Sequence, residues 1–384
     1  MFIDKHDGFA WIQEVQRIAA SGSILVQNQQ GKILLDINSD DMYVPASTLK
    51  IITSLCAIEI MGKTYRYQTE LYEDNESNLL IKGLGDPILT SEELDILAIR
   101  VNASGKKSFK GIGIDVSFFE SPLKIPGVSM TDNPYDALNS ALCVNFNTIS
   151  VLIQGKNVIS GESQTPLTPI AYDLAKKSGK QGSVRINLSH QHSDVVQYSG
   201  EMIAAFLRKQ GIIVGNAIHE TVIPKSLIPF YVHQSSKTLE EIIQGMLHYS
   251  TNFIANQLFL TLGAIQKGPP ASLKKSQETV SDFLKKQVGL NGFTIVEGSG
   301  ISYENQLSAR QLMKVLLDIN ARYPNLLYTK DNMQFKTGTL KHVKSIVGTF
   351  PSIQHERIYF VVLLKTQNVS KRDNIMMILK KNLS

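Results

Sequence analysis

An apolar run from Leu49 to Met61, opened by Pro45 and closed by Gly62, constrains this chain more than any other stretch. Proline near the start and glycine just past the end mark a helix at both termini. Its apolar residues go almost all the way round, so the helix must be buried, and the rest of the fold has to cover it on several sides. Yet Ser47 and Lys50 fall in its first turn, three residues apart and therefore side by side. Two readings of that polar turn stand at this point. Ser47 is a helix N-cap, a common use of serine, or it is a nucleophile with a lysine base beside it.

The rest of the chain limits what surrounds that helix. At 384 residues it is too long for one core, and length alone suggests two or three domains. The balance of 39 basic and 34 acidic residues leaves +5, with the lysines scattered except for Lys106, Lys107 and Lys110; a nucleic-acid partner calls for a denser basic face. Cys56 lies in the apolar helix and Cys143 in another apolar stretch. Neither has metal-site spacing, and both read as small buried hydrophobes, with a bridge between them left open. No metal or cofactor site is expected. No segment reaches the roughly 18 continuous apolar residues of a membrane span. The first eight residues lack the apolar centre of a signal peptide.

Hydrophobic spacing gives a coarse order of elements. A helix is expected over Gly8 to Ala20, with Phe9, Ile12, Val15 and Ile18 on one face, then two strands over Ser23 to Ile37 around Gly31. Short β-rich runs broken by Gly and Pro continue from Gly62 to about Pro229, with a helix from Glu201 to Gln210. Helical spacing then returns at 239–247, at 252–262 with Gly263 as the stop, at 280–288 and at 309–319. Strands at 345–350 and 357–364 and a short helix at 375–383 close the chain. The pattern predicts a mixed α/β (α+β) domain formed by residues 1–64 and 235–384. Its first and last strands would share one antiparallel sheet flanked by helices. A β-rich region, 65–234, would be inserted as two nested subdomains.

Ser-x-x-Lys alone is a weak signal and occurs four times, at Ser47, Ser104, Ser121 and Ser272, but only the first opens a buried helix. Two triplets strengthen it. Ser250-Thr251-Asn252 is the only Ser-x-Asn in the chain and stands between two helical segments; Lys336-Thr337-Gly338 is the only Lys-Thr-Gly, with Thr339 behind it. This ordered set resembles that of penicillin-binding proteins and class A β-lactamases. The chemistry is coherent. Ser47 at a helix start feels the positive end of the helix dipole. Lys50 can serve as base once burial and the Lys336 charge strip its proton. Ser250 would pass a proton to the leaving amine, and Asn252 would orient Lys50 and bind the substrate amide. Lys336, Thr337 and Gly338 would hold a substrate carboxylate. The backbone N–H groups of Ser47 and Thr339 would form an oxyanion hole.

Further segments narrow the resemblance. Pro45-Ala-Ser-Thr-Leu-Lys50, Gly83-Leu-Gly-Asp-Pro87, Ala141-Leu-Cys-Val-Asn-Phe-Asn147, Glu297-Gly-Ser-Gly-Ile-Ser302 and Leu307-Ser-Ala-Arg-Gln-Leu312 are similar to elements of one family. It is the D-Ala-D-Ala carboxypeptidase/endopeptidase family of low-molecular-mass class C penicillin-binding proteins, serine peptidase family S13. The likeness spans roughly residues 22 to 365. It implies a β-lactamase/transpeptidase-like fold and a serine carboxypeptidase, possible endopeptidase activity included, acting on peptidoglycan stem peptides that end in D-Ala-D-Ala. It also implies covalent inhibition by β-lactam antibiotics and a place in the periplasm or on the outer face of the envelope. This chain departs from the family pattern at Asn256, where an acidic residue is usual, and in the shortened segment between Tyr323 and Lys336. A non-catalytic penicillin- or peptidoglycan-sensing module and a β-lactamase-like hydrolase are the alternative readings.

Overall fold

The computed structural model describes residues 10–188 and 191–384. The expected first helix is present as Ala10–Ile18; Gly8 and Phe9, which the expectation included, lie outside the described residues. The chain divides into two compact units. One holds the described residues up to Ile60 with Ile243–Ala255 and Val280–Ser384; the other holds Met61–Ile242 and Asn256–Thr279. Residues 256–279, placed with the second part of the outer domain by the sequence pattern, thus group with the inserted region.

The first unit is built on a six-stranded sheet. In spatial order its strands are Tyr328–Lys330, Met333–Leu340, Val343–Ser352, Glu356–Lys365, Gly22–Asn28 and Ile33–Ile37. Every pairing is antiparallel, with Gly22 opposite Leu364 and Val343 opposite Lys365. The first and last strands do meet in one sheet. Successive side chains on a strand point to opposite faces, and both faces are covered here. Ile24, Val26, Phe350, Phe360 and Val362 pack with Val15 of the first helix and with Ile375 and Leu379 of the terminal helix Val369–Leu383. The intervening Leu25, Val347, Val361 and Leu363 are equally buried on the other face. There the helix Ala309–Arg322, opened by a Ser308–Gln311 capping box, lies against the central strands. The near-continuous apolar strands follow from this double coverage.

The second unit has a five-stranded sheet and a three-stranded one. The larger runs Tyr231–Gln234, Gln68–Glu73, Leu79–Gly83, Ser108–Asp115, Ile213–Glu220, and its last two pairings are parallel. The smaller, antiparallel sheet runs Asn157–Ser160, Thr148–Gln154, Gly182–Asn187. The region is less purely β than its sequence suggests, because the helix His192–Lys209 starts nine residues before the expected one and runs through Gly200. A similar departure occurs in Asn252–Lys267, which continues past Gly263. The two glycines share a cause. A Cβ at Gly200 would lie 2.6 Å from Ile218 Cγ2, and one at Gly263 would lie 2.8 Å from the backbone nitrogen of Ser276. Both are close-packing positions inside helices rather than stops.

The Gly83–Pro87 turn of this unit buries an acid. Asp86 is 3% exposed; its Oδ1 accepts from the Ile88 N–H at 2.9 Å, and Oδ2 has no hydrogen-bond partner. Burial, reinforced by the nearby Glu93 charge against the Ile88 hydrogen bond, raises its pKa to about 7. A carboxyl whose folded pKa is raised holds its proton more tightly when folded. That contribution is fully present below the unfolded value near 4 and is lost as pH rises to about 7, amounting to ~4 kcal/mol at the top of the window. Asp86→Asn keeps the acceptor and removes the titration. Thermal unfolding from pH 4 to 8 should show the variant losing less stability than the wild type over that range, and ending more stable at pH 8.

Candidate active site

The polar turn begins with an unusual backbone. Ala46–Leu49 forms a 3₁₀ turn that leads into the α-helix Lys50–Met61, and Ala46 has φ of +50°, a region few non-glycine residues occupy. Such local strain is held by its surroundings and is found at functional positions. The Pro45 carbonyl, just before the turn, accepts from Thr48 Oγ1 and from Ser345 Oγ, each at 2.6 Å, which ties the turn to the central sheet. Gly300, at φ of +82°, passes so close that a Cβ there would lie 1.9 Å from the Ala46 carbonyl oxygen. Ser47 is not the N-cap of this turn, which falls at Pro45; its hydroxyl instead meets Lys50.

Lys50 is fully buried and surrounded by three oxygens. Its Nζ is 3.0 Å from Ser47 Oγ, 2.6 Å from Asn252 Oδ1 and 2.7 Å from the Ser299 carbonyl. Two of these can only accept, whereas the hydroxyl can either accept or donate. A neutral amine therefore satisfies the whole set: two N–H groups go to Asn252 and Ser299, and the nitrogen lone pair faces the Ser47 proton. Burial drives the Lys50 pKa well down and the Lys336 charge pushes the same way; Glu297 opposes them. The arrangement is a serine with a general base already in contact.

Ser250 occupies the corner between helices Leu239–Tyr249 and Asn252–Lys267, with φ of +57°. Lys336, 3% exposed on the strand Met333–Leu340, donates to Ser250 Oγ and to the Thr337 carbonyl, each at 2.8 Å. Burial lowers the Lys336 pKa to about 8, with the Arg372 charge acting in the same direction. Two residues on, a Cβ at Gly338 would lie 2.8 Å from Ser47 N, so the backbone of this strand lies against the nucleophile's own N–H. The preceding strand covers this one only from Met333 to Phe335. From Lys336 to Leu340 the edge is unpaired among the described residues.

The structure thus joins Ser47, Lys50 and Asn252 in one cluster and Ser250 with Lys336 in another, the two lysines being near enough to interact electrostatically. Gly338 abuts Ser47, and Thr339 is exposed beyond it. Thr337 differs. By strand alternation its side chain lies on the face opposite Lys336, where it lines a hollow with Phe335, Ile346 and Arg372. Sequence reasoning missed the part played by Glu297. This buried carboxylate accepts from the N–H groups of Ser299 and Gly300 at 2.7 Å, from Ser299 Oγ at 2.6 Å and from Asn305 Nδ2 at 2.7 Å. It thereby aims the Ser299 carbonyl at Lys50. The Glu-Gly-Ser-Gly cluster was its only trace in the sequence.

Comparison with known proteins follows the same lines. The D-alanyl-D-alanine carboxypeptidase DacB of Haemophilus influenzae is 23% identical, over 88% of this chain and 84% of that protein. The crystal structure of penicillin-binding protein 4 (dacB) from the same organism, also solved with a β-lactam bound, superposes over the full length of both chains with a TM-score of 0.77 and 20% identity. A predatory endopeptidase of Bdellovibrio bacteriovorus, solved with an immunity protein, gives a TM-score of 0.56 and 17% identity, covering 94% of this chain and 92% of that one. These likenesses establish the fold. Residues 10–329, which contain both the Ser47–Lys50 turn and the Ser250–Asn252 corner, match the D-Ala-D-Ala carboxypeptidase 3 (S13) family, and the chain belongs to it.

Proposed function

We propose that this chain is a serine-type D-Ala-D-Ala carboxypeptidase acting on peptidoglycan stem peptides, with Ser47 as nucleophile and Lys50 as its base. The observation that carries this reading is the Lys50 nitrogen, buried among two carbonyl acceptors and one hydroxyl. Ser47 Oγ attacks the carbonyl carbon of the penultimate D-alanine while its proton passes to Lys50 Nζ. The N–H groups of Ser47 and Thr339 receive the developing oxyanion. Collapse breaks the C–N bond, the amine takes a proton through Ser250, and D-alanine leaves. Water then hydrolyses the Ser47 ester. Asn252 orients Lys50 and the substrate amide, while Lys336, Thr337 and Gly338 hold the terminal carboxylate.

The same acylation cleaves a cross-link when the leaving amine belongs to a neighbouring stem peptide, and the solved endopeptidase of this fold supports keeping that second activity. A β-lactam ring presents an amide and a carboxylate in a similar relation, so penicillins should acylate Ser47; the β-lactam complex of the Haemophilus protein supports this. A peptidoglycan substrate supports a location in the periplasm or on the outer face of the envelope. Among the described residues no helix is long and apolar enough to cross a membrane. We read 65–234 as an insertion between 1–64 and 235–384, the two parts that supply every proposed site residue.

The test is D-alanine release from a peptide ending in D-Ala-D-Ala, followed against pH. kcat/KM should fall above about pH 8 as Lys336 loses its charge. The acid limb should follow Lys50, which must be neutral to act as base. Stable penicillin acylation with no D-alanine release would instead favour a sensor.

A further inference from the structure

The end of the Lys336 strand carries more positive charge than its surroundings neutralise. Lys336 and Lys344 are 3% and 5% exposed, and each donates to uncharged oxygens: Lys336 to Ser250 and Thr337, Lys344 to the carbonyls of Leu340 and Val343. Arg372, from the first turns of the terminal helix, has a side chain only 13% exposed, and its ion pair is with the adjacent Asp373. Three cations therefore stand with one paired carboxylate among them, and the hollow beside Arg372 adds Lys330 and Lys380 against one further carboxylate, Asp331. Burying unneutralised charge is costly, and an incoming anion relieves that cost. Burial lowers the pKa of both lysines and the Arg372 charge pushes the same way; Lys336 also faces Lys50, the buried amine read above as neutral.

Geometry supplies a place for the anion. Arg372, Thr337, Ile346 and Met376 line a hollow of about 330 Å³ on the face of the sheet opposite Ser47. Thr337 belongs to the unpaired edge of the strand, so a carboxylate at that edge can be reached from both faces. The guanidinium meets Asp373 Oδ1 through Nε and Nη2, each at 2.9 Å. That uses one oxygen and one side of a planar fork built for carboxylates. We infer that Arg372 is a specificity residue for the substrate's terminal carboxylate, reaching it from beneath the Lys336–Thr337 edge. The inference rests on the carboxypeptidase reading and deepens it.

The experiment compares wild type, Arg372→Gln and Arg372→Lys on a peptide ending in D-Ala-D-Ala and on its C-terminal carboxamide. Arg372→Gln should raise KM and lower kcat/KM ~10- to 100-fold on the free carboxylate, as expected for one charge-assisted contact. The carboxamide should be nearly unaffected, Arg372→Lys should recover part of the loss, and the alkaline limb should move upward as Lys336 loses a cationic neighbour. An equal loss on both peptides, or no loss on either, would overturn the role of Arg372 while leaving the carboxypeptidase reading intact. A wild-type chain that releases no D-alanine overturns that reading itself, and the role of Arg372 with it.

Discussion

Lys50→Met should slow penicillin acylation of Ser47 by ~10²- to 10⁴-fold, the range a positioned general base supplies. The substitution keeps the length and apolar stem of a side chain buried along its whole extent, and removes only the atom that takes the Ser47 proton. It also leaves Asn252 Oδ1 and the Ser299 carbonyl without their donor, which costs roughly 1–3 kcal/mol for each buried acceptor. Removing a buried amine gives some of that back. The melting temperature should therefore fall only modestly while acylation collapses. Time-resolved mass measurement with a penicillin in excess checks the rate; a variant acylated at the wild-type rate would remove Lys50 from the mechanism.

Glu297→Gln should have the next largest effect, although Glu297 touches no reacting atom in the account. The carboxylate receives four N–H donors and one hydroxyl over its two oxygens. A glutamine has one acceptor oxygen, and its NH₂ would point at N–H groups that need an acceptor. Breaking a buried, fully used charge of this kind is worth ~3–5 kcal/mol. The loop from Gly298 to Ser302 would loosen, and with it the Ser299 carbonyl aimed at Lys50 and the Gly298 carbonyl bonded to Thr53. Two readouts separate this from a general loss of folding. D-alanine release should fall by more than the unfolded fraction explains. Its acid limb should also move to lower pH, because the charge that holds the Lys50 pKa up is gone. An unchanged limb would show that Glu297 has no electrostatic reach to Lys50.

How far the sequence carried depended on whether a feature was local. The Ser47–Lys50 turn was legible because two polar residues interrupt an otherwise apolar helix, and the Ser250 and Lys336 triplets because each is unique in the chain. The central sheet could be anticipated from two β-rich ends with strong apolar runs. What stayed hidden was long-range. Glu297 lies far from Lys50 in sequence, and a lone glutamate among glycines has no periodicity to betray it. Arg372 is one basic residue in a polar helix start until the fold sets it beside Thr337. Gly263 read as a stop because local propensity penalises glycine in helices; tertiary packing overrides that there, as it does at Gly200, by leaving no room for a Cβ. Thr337 shows the opposite limit: the triplet was visible, but the face its side chain takes is set by strand register.

The most direct test of the central claim is the intact mass of the protein after exposure to a penicillin, followed by peptide mapping of the adduct. The expected result is one penicilloyl group per chain, located on Ser47 and absent from Ser47→Ala. Equal labelling of Ser47→Ala, or an adduct mapped to another residue, would contradict it.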